Sequence, residues 1–181
     1  FVLSSITPDG MVSIVKAGKK DAALLSGIAQ TTFLESHGHS AKPEDVNKYV
    51  QEKYNEVVLK QELSDPENIF HIIYHNNIPA GFSKIIFNFP YAGSPLVHIT
   101  KLERIYLLKE FHDLKLGLKL FQFNVELSKQ NDQVGIWLYV WIENERAIHF
   151  YKKAGFIISG SYDFKISETH SNPNYLMFLE Y

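Results

Sequence analysis

The sequence predicts a single α/β (α+β) domain over residues 11–181, with about seven strands and the helices between them. Three observations lead there. Apolar segments of strand length are interleaved with segments of helical period. Two of the strands run almost directly into helices, at residues 103–121 and 137–156. No linker, repeat or low-complexity stretch interrupts the chain.

The elements follow in order. VSIVKA (12–17) alternates as a strand. Residues 19–37 read as a helix with Leu24, Leu25, Ile28, Thr32 and Leu34 loosely on one side. Pro43 suits the first turn of a second helix, EDVNKYVQEKYN, and a short helical piece at 57–63 ends before Pro66. IFHIIYH (69–75) and PAGFSKIIFNF (79–89) flank Asn76-Asn77, a hairpin turn. A long strand spans 97–108, and helix 114–130 follows with Leu116, Leu120, Phe123 and Leu127 on one face. Strand 134–141, helix 144–154 closed by Gly155, and two final strands joined by the polar loop ETHSNPN complete the set. Residues 1–10 are expected to be an N-terminal extension or expression remnant, because Met11 opens a more ordinary start.

Composition narrows the function classes. The 181 residues are 45% hydrophobic, with 13 Phe and 10 Tyr, so a packed core is affordable and disorder is not a sensible reading. A net charge of −2 supplies no global field for nucleic acid. Zero cysteines exclude disulfides, a thiol nucleophile and Cys-ligated zinc, and fit a cytoplasmic address. No apolar run approaches the ~20 residues of a membrane span. His37-Gly38-His39 and the His71/His75 pair have no third ligand at metal-site spacing, so no metal is expected.

Chemistry concentrates at the two junctions. The first carries His112-Asp113-Leu114-Lys115-Leu116-Gly117 between a strand and a helix start. The N–H groups of a helix's first turn have no intrahelical acceptor and favour an anion there. Phosphate-binding turns usually hold two or three glycines, and this one keeps only Gly117. Lys115 still offers its backbone N–H and adds a positive charge, at some cost in room. The same residues also read as an ordinary solvated first turn.

The second junction reads Asn144-x-x-Ala147-x-x-Phe150-Tyr151-x-x-x-Gly155-Phe156. The two together resemble the GNAT acyltransferase superfamily, from about residue 12 to the end. In that family the first turn reads Gln/Arg-x-x-Gly-x-Gly/Ala, and Lys115 stands at the first glycine. The wording ERIYLLKEF with IWLYVWIENERAIHFYKKAGF resembles the bacterial polyamine-acetyltransferase branch. The resemblance implies the GNAT fold, a mixed, mostly antiparallel central sheet of about seven strands flanked by helices on both faces, with acetyl-CoA as cosubstrate. It places the cofactor at His112, Asp113, Leu114, Lys115, Leu116, Gly117 and Leu118, and along the strand backbone at Ile105, Tyr106 and Leu107. It adds Asn144, Ala147, Tyr151 and Lys153.

Tyr151 is the expected general acid. Acetyl transfer from a thioester to an amine releases a thiolate, and protonating it blocks the reverse reaction. With reference pKa values of about 10 for Tyr and about 8.5 for a thiol, that transfer is uphill by roughly 2 kcal/mol in water, so the site must favour it. As a bare residue Tyr151 is more often helix packing, and Asn144 reads equally as an N-cap. An alkylamine has a pKa near 10.4, so the nucleophile must first lose a proton. Glu103 is one candidate base, against an ion pair with Arg104 or another neighbour. The acidic side chains Glu35, Glu44, Asp45, Glu52 and Glu56 would suit a cationic acceptor, although most such charges solvate helix faces. The expected reaction is acetylation of a small primary amine such as a polyamine, with no nucleic-acid or membrane partner and a homodimer left open. The alternatives are acetylation of a protein N-terminus or lysine, and a CoA-binding regulatory module without catalysis.

Overall fold

The computed structural model describes residues 2–181. Eight strands are ordered β1-β2-β3-β4-β5-β6-β8-β7. They are β1 (Val2–Thr7), β2 (Gly10–Lys16), β3 (Ile69–His75), β4 (Ile78–Ile86), β5 (Thr100–Leu107), β6 (Gly135–Trp141), β7 (Ile157–Lys165) and β8 (Ser171–Glu180). The helices are α1 (Ala22–His37), α2 (Pro43–Lys53), α3 (Glu56–Ser64), α4 (Leu116–Gln130) and α5 (Glu145–Lys153). The sheet is mixed: β5 and β6 are parallel, whereas β1–β2, β2–β3, β3–β4, β6–β8 and β7–β8 are antiparallel.

The eighth strand comes from the N-terminal segment. β1 pairs with β2 from Val2↔Val15 to Thr7↔Gly10, turning at Pro8-Asp9 with Gly10 at φ 126°. Thr7-Pro-Asp-Gly is a turn signal between two alternating runs. The expected loop 168–174 is also shorter, because β8 begins at Ser171. Pro173 has no N–H to give, and its carbonyl accepts from Ile142 N–H at 3.0 Å. The β3–β4 hairpin turns on Asn76 and Asn77, with φ of 49° and 65°, as a primed turn requires.

The chain forms two compact units. The first runs to Ile85 and takes in Arg104–Asn124; the second is Ile86–Glu103 with Val125–Tyr181. In the first, α1 buries Leu25, Ile28 and Thr32, whereas Leu24 and Leu34 of the expected face are exposed. α2 buries Val46, Tyr49 and Val50. Phe70, Ile72 and Phe82, all under 2% exposed, contribute the sheet side of this core. Each such side chain stabilises the fold by roughly 1.5–3 kcal/mol. In the second, Ile99, Trp137, Leu176 and Phe178 pack together, with Tyr91, Leu96 and Tyr139 against them.

Candidate active site

The parallel β5–β6 ladder comprises Thr100↔Ile136 and Lys101↔Trp137, both pairs within the second unit. Residues 102–107 of β5 lie beyond that ladder. Within the first unit, the end of β5 is held against β4: Leu108 N–H donates to the Ala80 carbonyl at 2.8 Å. A Cβ on Gly81 would run into the Tyr106 carbonyl and Leu107, so the close approach of these backbones requires glycine.

Tyr106 and Leu107 point to opposite sides. The Tyr106 ring lies 6.1 Å from Phe82 and 6.4 Å from His37 on the α1 side, whereas the Leu107 side chain is the one nearest Gly117 of α4. Burial raises the Tyr106 hydroxyl pKa above its usual range and lowers that of His37 to about 4, keeping the imidazole neutral.

The turn after β5 is not a single tight turn. Lys109–Leu114 forms a 3-10 helix that carries His112, Asp113 and Leu114, and α4 begins at Leu116 rather than at 114. His112 Nε2 lies 3.2 Å from the Leu107 carbonyl. Lys115 joins the two helices at φ 56°, ψ 24°, the left-handed region. A glycine belongs there for its backbone freedom, in addition to the room a missing Cβ leaves. Gly117 has a weaker requirement: its Cβ would meet only the Leu107 side chain, at 3.4 Å. The first intrahelical bond of α4 is Lys119 N–H to the Lys115 carbonyl, at 3.2 Å, so the N–H groups of Leu116, Gly117 and Leu118 precede the ladder. Leu116 is buried, whereas Lys115 and Leu118 are exposed. Beside this turn, a surface cleft of about 390 Å³ is lined by Thr31, Glu35, Leu108, Lys109 and Glu110, and Glu35 Oε2 accepts from Lys109 N–H at 2.9 Å.

The second junction lies in the second unit. Asn144 caps α5, its Oδ1 accepting from Ala147 N–H at 3.2 Å. At the other end Phe156 N–H donates to the Tyr151 carbonyl and Gly155 N–H to the Lys152 carbonyl, each at 3.0 Å, with Gly155 at φ 101°. This is a Schellman closure, and it fixes the backbone of Tyr151. The Tyr151 side chain is buried, with ring centroids of Phe150 at 5.5 Å and Phe156 at 5.3 Å. Lys152 and Lys153 are exposed in the same last turn, where cations complement the helix dipole. Thus Ile105, Tyr106, Leu107 and residues 112–118 belong to the first unit, and Glu103, Asn144, Ala147, Tyr151 and Lys153 to the second.

Glu103 is half-buried on β5. Its sequence neighbour Arg104 is engaged by Glu62 of α3, Nη2 to Oε1 at 3.0 Å, and lies 5.1 Å over the Tyr54 ring. Lys84 Nζ meets the same Glu62 oxygen at 2.6 Å, with a side chain only 5% exposed. Sequence reasoning missed this part-buried trio. The available signal was Lys84 itself, a charge inside the apolar run GFSKII. By contrast, Glu44 and Glu52 are exposed and Asp45 is half-buried, and Lys48–Glu52 is a loose i,i+4 pair at 3.9 Å. Among the described residues, no three His, Cys, Asp or Glu side chains are placed to hold a metal ion, and no helix is long and apolar enough to cross a membrane.

Comparison with known proteins bears on both junctions. Residues 31–156 match the model of the acetyltransferase (GNAT) family. The chain is 31% identical, over 80% of its length and 83% of the relative's, to an uncharacterized N-acetyltransferase of Lactobacillus delbrueckii subsp. lactis encoded in the pepI 3′ region. Its fold is similar to that of the PaiA N-acetyltransferase from Thermoplasma acidophilum in complex with coenzyme A. There the TM-score is 0.74 at 21% identity, covering 94% of this chain and 99% of the other. A GNAT-family acetyltransferase from Streptococcus pneumoniae gives a TM-score of 0.64 at 25% identity, covering 94% and 99%. The chain therefore belongs to the GNAT acetyltransferase family, and acetyl-CoA is the cosubstrate of its N-acetyltransferase chemistry.

Proposed function

We propose that the protein acetylates a primary amine on a small acceptor, polyamines being the leading class, with Tyr151 as general acid and Glu103 as base. The observation that carries this reading is the left-handed Lys115 at the entry to α4. A non-glycine residue is held in that conformation at a cost of roughly 1–2 kcal/mol, and such strain persists where a site needs the geometry. Here it turns the chain so that the N–H groups of Leu116, Gly117 and Leu118 open α4.

Acetyl-CoA supplies an activated acetyl group and a pyrophosphate. Lys115 and the α4 N–H groups suit the pyrophosphate, with His112, Asp113 and Leu114 leading into them. The backbone of Ile105, Tyr106 and Leu107 suits the pantetheine amides, since it extends past the β6 ladder. Asn144, Ala147 and Lys153 are assigned to the cofactor on the family pattern. Glu103 takes a proton from the acceptor ammonium, the free amine forms the new N–C bond as the C–S bond breaks, and the Tyr151 hydroxyl protonates the leaving thiolate; the second proton shed by the acylated nitrogen passes through solvent to restore the Tyr151 hydroxyl. A ring wedged between Phe150 and Phe156 is well fixed for that transfer. The small-amine acceptor is supported by the ERIYLLKEF wording. A cytoplasmic address accords with a chain that has no cysteine.

The test is thiol release from acetyl-CoA across polyamines, amino acids, aminoglycosides and N-terminal peptides. The highest kcat/KM is expected with a polyamine. A peptide as the best acceptor would replace the acceptor class. Tight CoA binding with no thiol release from any amine would leave a binding module without catalysis.

A further inference from the structure

The second unit keeps its helices on one face of its strands. Thr100 Oγ1 and Ser128 Oγ of α4 are 2.6 Å apart, the Tyr181 hydroxyl donates to the same Ser128 oxygen, and a side chain at Gly155 would touch Leu179. Strand alternation then puts Trp137, Tyr139 and Trp141 on the opposite face, with their β8 partners Phe178, Leu176 and Asn174. β7 adds Tyr162, paired with Asn174. Phe89, Tyr91 and Leu96 cover the Trp137 end of that aromatic face, and at its other end Trp141 is 7% and Tyr162 47% exposed.

One feature of the face shows what chemistry it accommodates, and another points to a ligand. Lys101 places its Nζ 5.2 Å from the Phe89 ring, 5.2 Å from Trp137 and 5.7 Å from Tyr139, so an alkylammonium already rests among these rings. Further along, Asn174 is 6% exposed and its Oδ1 has no hydrogen-bond partner. Buried acceptors are nearly always satisfied, and leaving one bare is costly. Its neighbours in register are Trp141 and Tyr162, and Tyr162 stacks on Tyr139 at 4.6 Å.

Resting on the amine-acetyltransferase reading, we infer that Tyr139, Trp141, Tyr162 and Asn174 seat an alkylammonium end of the acceptor, with Asn174 Oδ1 accepting one of its N–H groups. The class of acceptor is a linear aliphatic diamine or polyamine, held by one amine while another is acetylated. Lys101 Nζ already reaches to 5.7 Å from the Tyr139 ring, so the incoming ammonium sits at the Trp141, Tyr162 and Asn174 end, two residues or about 7 Å further along the strand, and Lys101 weakens the seat as salt falls. Tyr162, on the edge strand and 47% exposed, is the ring that swings to admit the N–H to Asn174.

The protein's only two tryptophans, Trp137 and Trp141, are both on this face, so intrinsic fluorescence reads occupancy without turnover. Titration with 1,5-diaminopentane should change the emission saturably, and 1-pentanol should not. Tyr162→Ala should raise the diamine Kd about tenfold. Asn174→Asp, provided its melting temperature shows it folded, should lower the Kd and make binding weaken as salt rises, which a residue that only packs would not do. No saturable response in the parent, or an unchanged Kd in Tyr162→Ala, overturns the seat. The two proposals fail separately. Diamine binding without thiol release keeps the seat and removes amine acetylation. Thiol release with diamine, and a KM indifferent to Tyr162→Ala, keeps acetylation and removes the seat.

Discussion

Replacing Lys115 separates backbone strain from charge. At φ 56°, ψ 24° a residue with a Cβ costs roughly 1–2 kcal/mol over one without. Glycine returns part of that, because its unfolded chain loses about 0.5–1 kcal/mol more entropy on folding. Lys115→Gly is therefore expected to stabilise the fold by about 0.5–1 kcal/mol, raising Tm by about 1–4 °C for a chain of this size. Lys115→Ala keeps the Cβ and the strain, and an exposed side chain contributes little otherwise, so its Tm should stay near the parent's.

Affinity should order the same variants differently. An ammonium 4 Å from a phosphate oxygen in water is worth about 1 kcal/mol, a factor of about five. Both Lys115→Gly and Lys115→Ala should thus bind acetyl-CoA about three- to fivefold more weakly at low ionic strength. The gap from the parent should close as salt shortens the screening length to about 3 Å at 1 M. Calorimetric titration at two salt concentrations beside a thermal melt measures both quantities. Equal Tm for the glycine and alanine variants would refute the strain argument. Tighter acetyl-CoA binding by Lys115→Gly at low salt would show that the lysine obstructs the turn rather than serving it.

Two further outcomes are expected. Tyr151→Phe keeps the ring between Phe150 and Phe156 and removes one oxygen, so folding and acetyl-CoA affinity should hold while turnover at saturating acceptor falls roughly 10²-fold; parental turnover would make Tyr151 a packing residue. His71 is 2% exposed, and burial, aided by the nearby Lys16 charge, lowers its pKa from 6.5 to about 4. The unfolded state then takes up a proton between those values that the folded state refuses. Stability should fall as pH drops below 6.5, by roughly 3 kcal/mol from this group by pH 4, and urea melts independent of pH over that window would contradict it.

Most of the fold was legible because its elements are locally consistent. The Asn-Asn turn, the Pro43 helix start and the Gly155 stop each carry their own backbone chemistry, and each sits where that chemistry put it. β1 was passed over because its segment precedes a methionine, although Thr7-Pro8-Asp9-Gly10 is as good a turn signal as Asn76-Asn77. The α1 face was misjudged at Leu24 and Leu34 for a different reason. Apolar and small polar side chains are spread around α1 with almost no preferred side, so only the packed neighbours decide which residues are buried. Gly81, the burial of Asn174 and the convergence of Glu62 and Arg104 on Lys84 lay outside sequence reasoning because each is set by segments distant in the chain, and only Lys84 left a local signal.

The Lys115 turn joins the two levels. In the sequence, a lysine at a family glycine reads as a gap in a motif, and the steric reading of that glycine concerns only what approaches its Cα. The backbone adds a second demand, since the left-handed conformation is kept although lysine pays for it. A chain that had merely lost the site would be expected to relax the strain first, because a right-handed residue at 115 would let the 3-10 helix run straight into α4. It has not relaxed. The N–H groups of Leu116, Gly117 and Leu118 still open the helix behind a positively charged side chain, which would bring to an anion a charge that glycine lacks.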